Sequence, residues 1–201
     1  MKKQSPFFRN LLLCAALAVQ GIAWLPRAGA QSVNEGWRFC KSEQTDVNRL
    51  TDREDWQTVS LPHTWNAFDG QDGGKGYHDA PLYYRGTGWY VKDLFFDKKS
   101  RQKQVYVRFG AANYAAEVFL NGQSVGTHFG GYTAFACDLT PFIRHGQTNR
   151  LAVRVSNART LPVPPLHADF TFFGGLPREV ALYEENKVHI TPADSARAAC
   201  M

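Results

Sequence analysis

The sequence predicts an all-β protein, a β-sandwich of the jelly-roll kind, on three observations. Short segments with two-residue alternation recur along the chain. Val105, Val107 and Phe109 alternate with Tyr106 and Arg108, and Leu151, Val153 and Val155 with Ala152 and Arg154. Asn121-Gly122 separates two extended runs, and this dipeptide accepts the positive φ that a two-residue hairpin turn demands. Nowhere does the apolar spacing of a long amphipathic helix occur. Gly126, Gly130 and Gly131 would each cost a helix about 1 kcal/mol relative to Ala.

In chain order, residues 1–30 have the make-up of a secretion signal. Lys2, Lys3 and Arg9 precede an apolar run from Leu11 to Leu25, and Ala28-Gly29-Ala30 forms a small-residue cleavage site before Gln31. The apolar run is short for a bilayer span, so an uncleaved anchor is the lesser alternative. Cys14 follows Leu13, which is not the small residue that precedes a lipidated cysteine. The expected location is therefore secreted, in a periplasm, with no stable membrane insertion beyond the signal. Four of the 23 basic residues (Lys2, Lys3, Arg9, Arg27) and none of the acidic ones lie in this segment. The remaining chain is close to neutral, which argues against a nucleic-acid partner.

Trp37-Arg38-Phe39 opens the first strand. Trp56 to Leu61 forms a second, stopped by Pro62, and Asn66 to Tyr77 is a loop of turn-forming residues. Gly88 to Phe96 is strand-like, with Trp89 and Val91 facing one way and Tyr90 the other. Lys98 to Lys103 reads as a solvated turn. After the alternating run at 105–109 comes the hairpin: Val118-Phe119-Leu120, the turn, then Val125 and an extended stretch from Gly126 to Phe135. These strands are expected to bury one face and wet the other. Leu161 to Pro165 carries three prolines and must be an extended loop. From Thr191 to Met201 there is little to bury, and a frayed tail is expected after a sandwich domain at 31–190. Of the cysteines beyond the signal, Cys40, Cys137 and Cys200 have no framework or zinc spacing. Unpaired thiols are expected, with a Cys40–Cys137 bridge as the alternative.

Several words of this sequence, in order, resemble the N-terminal sugar-binding domain of glycoside hydrolase family 2, the β-galactosidase and β-glucuronidase group. They are Leu61-Pro62-His63-Thr64-Trp65-Asn66, Tyr84-Arg85-Gly86-Thr87-Gly88-Trp89-Tyr90 and Val118-Phe119-Leu120-Asn121-Gly122. Val125-Gly126, His128-Phe129-Gly130-Gly131-Tyr132-Thr133-Ala134-Phe135 and Asp169-Phe170 followed by Phe173-Gly174-Gly175-Leu176 complete the set. Pro177 departs from the pattern, which has Tyr before Arg178. The resemblance implies a galactose-binding-domain-like jelly roll. It also implies a secreted, β-galactosidase-like glycosidase whose chemistry belongs to a following (β/α)₈ barrel.

That chemistry needs two carboxyl groups about 5 Å apart across the glycosidic bond. Glu184 and Glu185 are sequence neighbours and would face opposite sides of a strand. Glu35, Glu43, Glu54, Glu117 and Glu179 lie in unrelated contexts. No catalytic residue is therefore assigned, and the catalytic barrel is expected to be absent from this chain. The resemblance does imply one substrate contact, Asp169, whose carboxylate would accept from a sugar hydroxyl; capping a turn is its plainer role. Arg178 would support the nearby loop. Trp65, Tyr83, Tyr84, Trp89 and Tyr132 could stack on a pyranose ring, with core packing the favoured use of each. His63, His78, His128, His145, His167 and His189 lack metal-ligand spacing, and Asp69, Asp72 and Asp79 do not match a calcium loop. No metal and no cofactor is implied. The expected partners are a β-linked sugar or glycan and the catalytic barrel. A stand-alone carbohydrate-binding module and a non-functional truncation product are the alternatives.

Overall fold

The computed structural model describes residues 29–50, 55–67, 84–158 and 172–189. Asp169, Tyr83, His78, His167, Cys200, the Asp69/Asp72/Asp79 loop, the proline-rich stretch, the tail and all but the end of the expected signal lie outside the described residues.

Twelve strands make up the described fold: β1 (Gly29–Ser32), β2 (Trp37–Lys41), β3 (Gln57–Val59), β4 (His63–Thr64), β5 (Thr87–Phe96), β6 (Lys103–Phe109), β7 (Ala115–Leu120), β8 (Gln123–Phe129), β9 (Phe135–Asp138), β10 (Gln147–Ser156), β11 (Gly175–Leu176) and β12 (Val180–Asn186). A six-stranded sheet runs β3-β2-β5-β10-β7-β8 and a four-stranded sheet β1-β12-β6-β9; β11 and β4 form a short ribbon. All pairings are antiparallel. The chain is thus the all-β sandwich its alternation predicts, and the core between the sheets is built from the expected positions. Val105, Val107 and Phe109 of β6 meet Leu151, Val153 and Val155 of β10, Tyr90 of β5 and Val118 and Leu120 of β7 in one buried cluster.

The hairpin is as read. Leu120 pairs with Gln123, so Asn121 and Gly122 are the two turn residues, at φ +55° and +83°. The side chain of Asn121 adds three bonds: Nδ2 donates to Phe142 O (3.0 Å) and Asn149 Oδ1 (2.7 Å), and Oδ1 accepts from Arg150 N at 3.2 Å.

Two expectations need correction. The six-stranded sheet is not uniformly wet on its outer face. Trp89, Val91, Cys40, Phe119 and Ala152 form a second buried cluster there, covered by Val47, Leu50 and Trp56 from the segment between β2 and β3. The stretch Gly126 to Phe135 is not one extended run; β8 ends at Phe129, and Gly130, at φ +133°, breaks the strand before β9. The solvated turn read at Lys98 to Lys103 is present as a 3-10 turn over Lys98–Gln102, capped by Asp97 Oδ1, which accepts from Lys99 N and Ser100 N; of its residues Ser100 alone is buried. Cys40 and Cys137 are both buried thiols and lie in different clusters, so no disulfide joins them. The expected cleavage point, Ala30-Gln31, falls inside β1, with Gln31 and Ser32 opposite Leu182 and Ala181.

Candidate functional site

At one end of the six-stranded sheet, four chain segments meet around two buried asparagines. Asn157 follows the last residue of β10, and Asn66 lies just past β4; they are 0% and 1% exposed. A buried amide must satisfy both its donors and its oxygen, so its partners have to be brought to it. Asn157 Oδ1 accepts from Gly86 N (2.9 Å), and its Nδ2 donates to Phe172 O (2.8 Å). Its backbone N–H donates to Gly86 O at 3.0 Å, and its own carbonyl accepts from Arg85 Nε at 3.0 Å. Asn66 Nδ2 donates to Tyr84 O (2.9 Å), and Asn66 Oδ1 accepts from Gly174 N at 2.7 Å. Arg85 lies over the Phe172 ring at 4.4 Å, so a cation covers the outer side of this amide cluster.

Aromatic rings line the same edge. Trp65 stacks on Phe39 at 5.7 Å and meets Tyr84 edge-on at 6.1 Å. Gly174 presses against the indole of Trp65 so closely that a methyl group there would overlap it. The glycine pair of the Phe173-Gly174-Gly175-Leu176 word thus serves close approach, and β11 then pairs Gly175 with Thr64 and Leu176 with His63. His63 Nδ1 lies 2.8 Å from Tyr90 Oη; burial, then the positive charge of Lys41, holds its pKa below the ordinary value of 6.5. Burial, then hydrogen bonding to Glu43, raises the Tyr84 phenol, which lies 2.8 Å from Glu43 Oε1. Both groups are neutral near pH 7 and act here as hydrogen-bonding, not charged, elements.

Asp169 itself lies outside the described residues, but both borders of its segment are held here. Phe172 O is bonded to Asn157, and Ala158 N donates to Ser156 Oγ at 3.2 Å. The 68–83 segment is bordered at this edge as well, by Ala67 after Asn66 and by Tyr84, whose carbonyl accepts from Asn66. Arg178 donates from Nη1 to Tyr132 O at 3.2 Å and lays its stem over Gly110, so it braces the turn that follows β8. Of the candidate stacking aromatics, Trp65 and Trp89 are buried packing residues, while Tyr132 is half exposed beside Tyr114. His128 is stacked on Phe135 at 4.1 Å, and His145 Nδ1 is 2.6 Å from Ser100 Oγ. Among the described residues no group of three His, Cys, Asp or Glu side chains could hold a metal ion. Sequence reasoning missed Asn157 and the structural use of Asn66. Their one sequence signal is placement, an asparagine directly after a strand beside a glycine-rich or proline-rich run.

The family model described as "Glycosyl hydrolases family 2, sugar binding domain" matches residues 30–186, and the chain belongs to that family. It is 37% identical over 164 residues to a β-glucuronidase of Bacteroides fragilis, covering 82% of this chain and 22% of that protein. To a β-galactosidase of Thermoanaerobacter pseudethanolicus it is 32% identical over 161 residues, covering 78% of this chain and 21% of that one. The crystal structure of a Bacteroides uniformis β-glucuronidase matches with a TM-score of 0.67 and 40% identity, over 78% of this chain and 18% of that one. The chain spans about a fifth of the length of the curated relatives it matches.

Proposed function

We propose that this sandwich is the sugar-binding part of a secreted family 2 β-glycosidase, in which Asp169 accepts a hydrogen bond from a substrate hydroxyl. In this reading a (β/α)₈ barrel supplies the nucleophile and the acid/base carboxyl of a retaining mechanism. The observation that carries it is the Asn66–Asn157 cluster, which ties the border of the Asp169 segment at Phe172 to the loop after β4. Orientation of a substrate contact requires such pinning, because a carboxylate misplaced by an ångström loses its bond to the sugar. The sandwich then contributes binding and orientation, and the barrel contributes bond cleavage. The substrate is a β-glucuronide or β-galactoside, the two activities named among the relatives.

The test joins this chain to a family 2 barrel and compares it with its Asp169→Asn form on p-nitrophenyl β-glucuronide and β-galactoside. Loss of one charge-assisted hydrogen bond should lower kcat/KM by about 10- to 100-fold on the preferred glycoside. Unchanged kcat/KM would remove Asp169 from the substrate site. Export is tested by N-terminal mass spectrometry of secreted material: a start at Gln31 is expected, and retention of Met1 would refute the signal.

A further inference from the structure

The outer face of the six-stranded sheet is divided in two. One half is sealed by the Trp89–Phe119 cluster and its cover. The other half, toward the loop edge, has no such cover among the described residues and holds a depression of about 230 Å³. Strand register gives its layout. Arg154 of β10, Glu117 of β7 and Thr127 of β8 are direct cross-strand partners in one row, and Ser156, Ala115 and Phe129 form the next row along the same strands. Adjacent strands lie about 4.8 Å apart, so each row offers three side chains across about 10 Å, the width of a pyranose with its hydroxyls. Ala115 is the small residue at the centre of its row, and it makes the depression. Phe129, on the edge strand β8, stands beside it 61% exposed. On the other side Arg154 Nη2 pairs with Glu117 Oε2 at 3.0 Å, the two side chains 30% and 26% exposed.

Three properties of this depression define its ligand. An exposed phenyl face against a shallow concavity suits the C–H face of a sugar ring, which is apolar on one side and hydroxylated at its rim. A guanidinium and a carboxylate side by side present donors and acceptors together, the complement of a vicinal diol, which both gives and receives hydrogen bonds. The pair is electrically balanced, so an anionic sugar would gain nothing from Arg154 that it did not lose to Glu117. We infer that the Arg154–Glu117–Phe129 depression is a surface subsite for a neutral hexopyranose unit of a glycan. Phe129 stacks on the ring, Glu117 accepts from hydroxyls, and Arg154 donates to hydroxyl or ring oxygens. Such a subsite would hold an uncharged part of a glycan while a different unit is engaged at the loop edge.

The test uses the whole chain, titrated with methyl β-D-galactopyranoside, methyl β-D-glucopyranoside and methyl β-D-glucuronide and followed by amide and methyl NMR shifts. Saturable shifts in the millimolar range at Ala115, Glu117, Thr127 and Phe129 are expected with at least one neutral glycoside and not with the glucuronide. Phe129→Ala, an exposed position, should weaken that binding by about tenfold or more with an unchanged melting temperature. Glu117→Gln, which keeps the shape, should weaken it as well. Asp169→Asn should leave it intact, which separates this subsite from the loop-edge contact. Neutral glycosides that leave these amides unshifted, binding that survives Phe129→Ala, or stronger binding of the glucuronide would each overturn the inference.

Discussion

Asn157 and Asn66 meet side chain to side chain, Nδ2 to Oδ1 at 3.3 Å, although 91 residues separate them in the sequence. The contact ties the end of β10 to the ribbon of β4 and β11, and each amide also holds backbone groups: Asn157 the Gly86 N–H and the Phe172 carbonyl, Asn66 the Tyr84 carbonyl and the Gly174 N–H. Both asparagines are therefore parts of one unit whose loss is felt by several segments at once.

Asn157→Ala should destabilise the domain by about 3 kcal/mol, because the Gly86 N–H and the Phe172 carbonyl lose their partner in a buried site. Urea unfolding reads this directly. In a double-mutant cycle, Asn66→Ala and Asn157→Ala should be non-additive by about 1 kcal/mol or more, as expected for members of one network. Strict additivity would show that the two asparagines hold their loops independently.

The hairpin turn makes a second prediction. Asn121→Val places a β-branched residue at positive φ and removes the bonds to Phe142, Asn149 and Arg150, so a loss of about 2–3 kcal/mol is expected. Asn121→Gly keeps the backbone conformation and removes only the side-chain bonds, so it should cost less. The difference between the two denaturation midpoints measures the conformational part.

Stability should fall with acidification through two imidazoles, the buried His128 and the half-buried His63. His128 donates from Nε2 to Gly130 O at 3.0 Å, its Nδ1 is buried without a partner, and burial lowers its pKa, with Gly130 opposing weakly. His63 is lowered by burial and then by Lys41. A histidine whose folded pKa is depressed is fully favourable above its unfolded value of 6.5, and that contribution is lost as pH falls through 6.5 toward the folded value, because the unfolded chain binds the proton first. The urea midpoint should therefore drop between about pH 7 and about pH 5, and the drop should be smaller in His128→Gln. An equal drop in the variant would assign the effect to other groups.

A chromogenic panel of aryl β-galactoside, β-glucuronide and β-mannoside should show no turnover by the 201-residue chain. Glu184 and Glu185 sit side by side on β12, opposite Val105 and Gln104, and so address opposite faces of the sheet. Glu117 is committed to Arg154. Turnover above background that is abolished by replacing one acidic residue would contradict this.

The strands and the hairpin were legible because alternation is a local property: Val105, Val107 and Phe109 announce a buried face whatever packs on it. The second cluster was only half legible. Trp89 and Val91 opposite Tyr90 show that β5 has two apolar faces, but nothing local says that Val47, Leu50 and Trp56 fold over one of them. The amide cluster was illegible for a stronger reason. An asparagine after a strand is ordinary, and its function is created by partners 71 and 91 residues away. Asp169 rests on resemblance, since it lies outside the described residues.

The pairing of β1 with β12 has a consequence for how this sandwich can be wired into a larger polypeptide. β1 begins at the end of the sheet where its neighbour β12 finishes, with Gly29 opposite Glu184. Entry and exit therefore share one corner. A domain attached through a single corner can be spliced into a loop of another fold, or reopened at its Asn121-Gly122 tip and rejoined across that corner, with little change to its sheets.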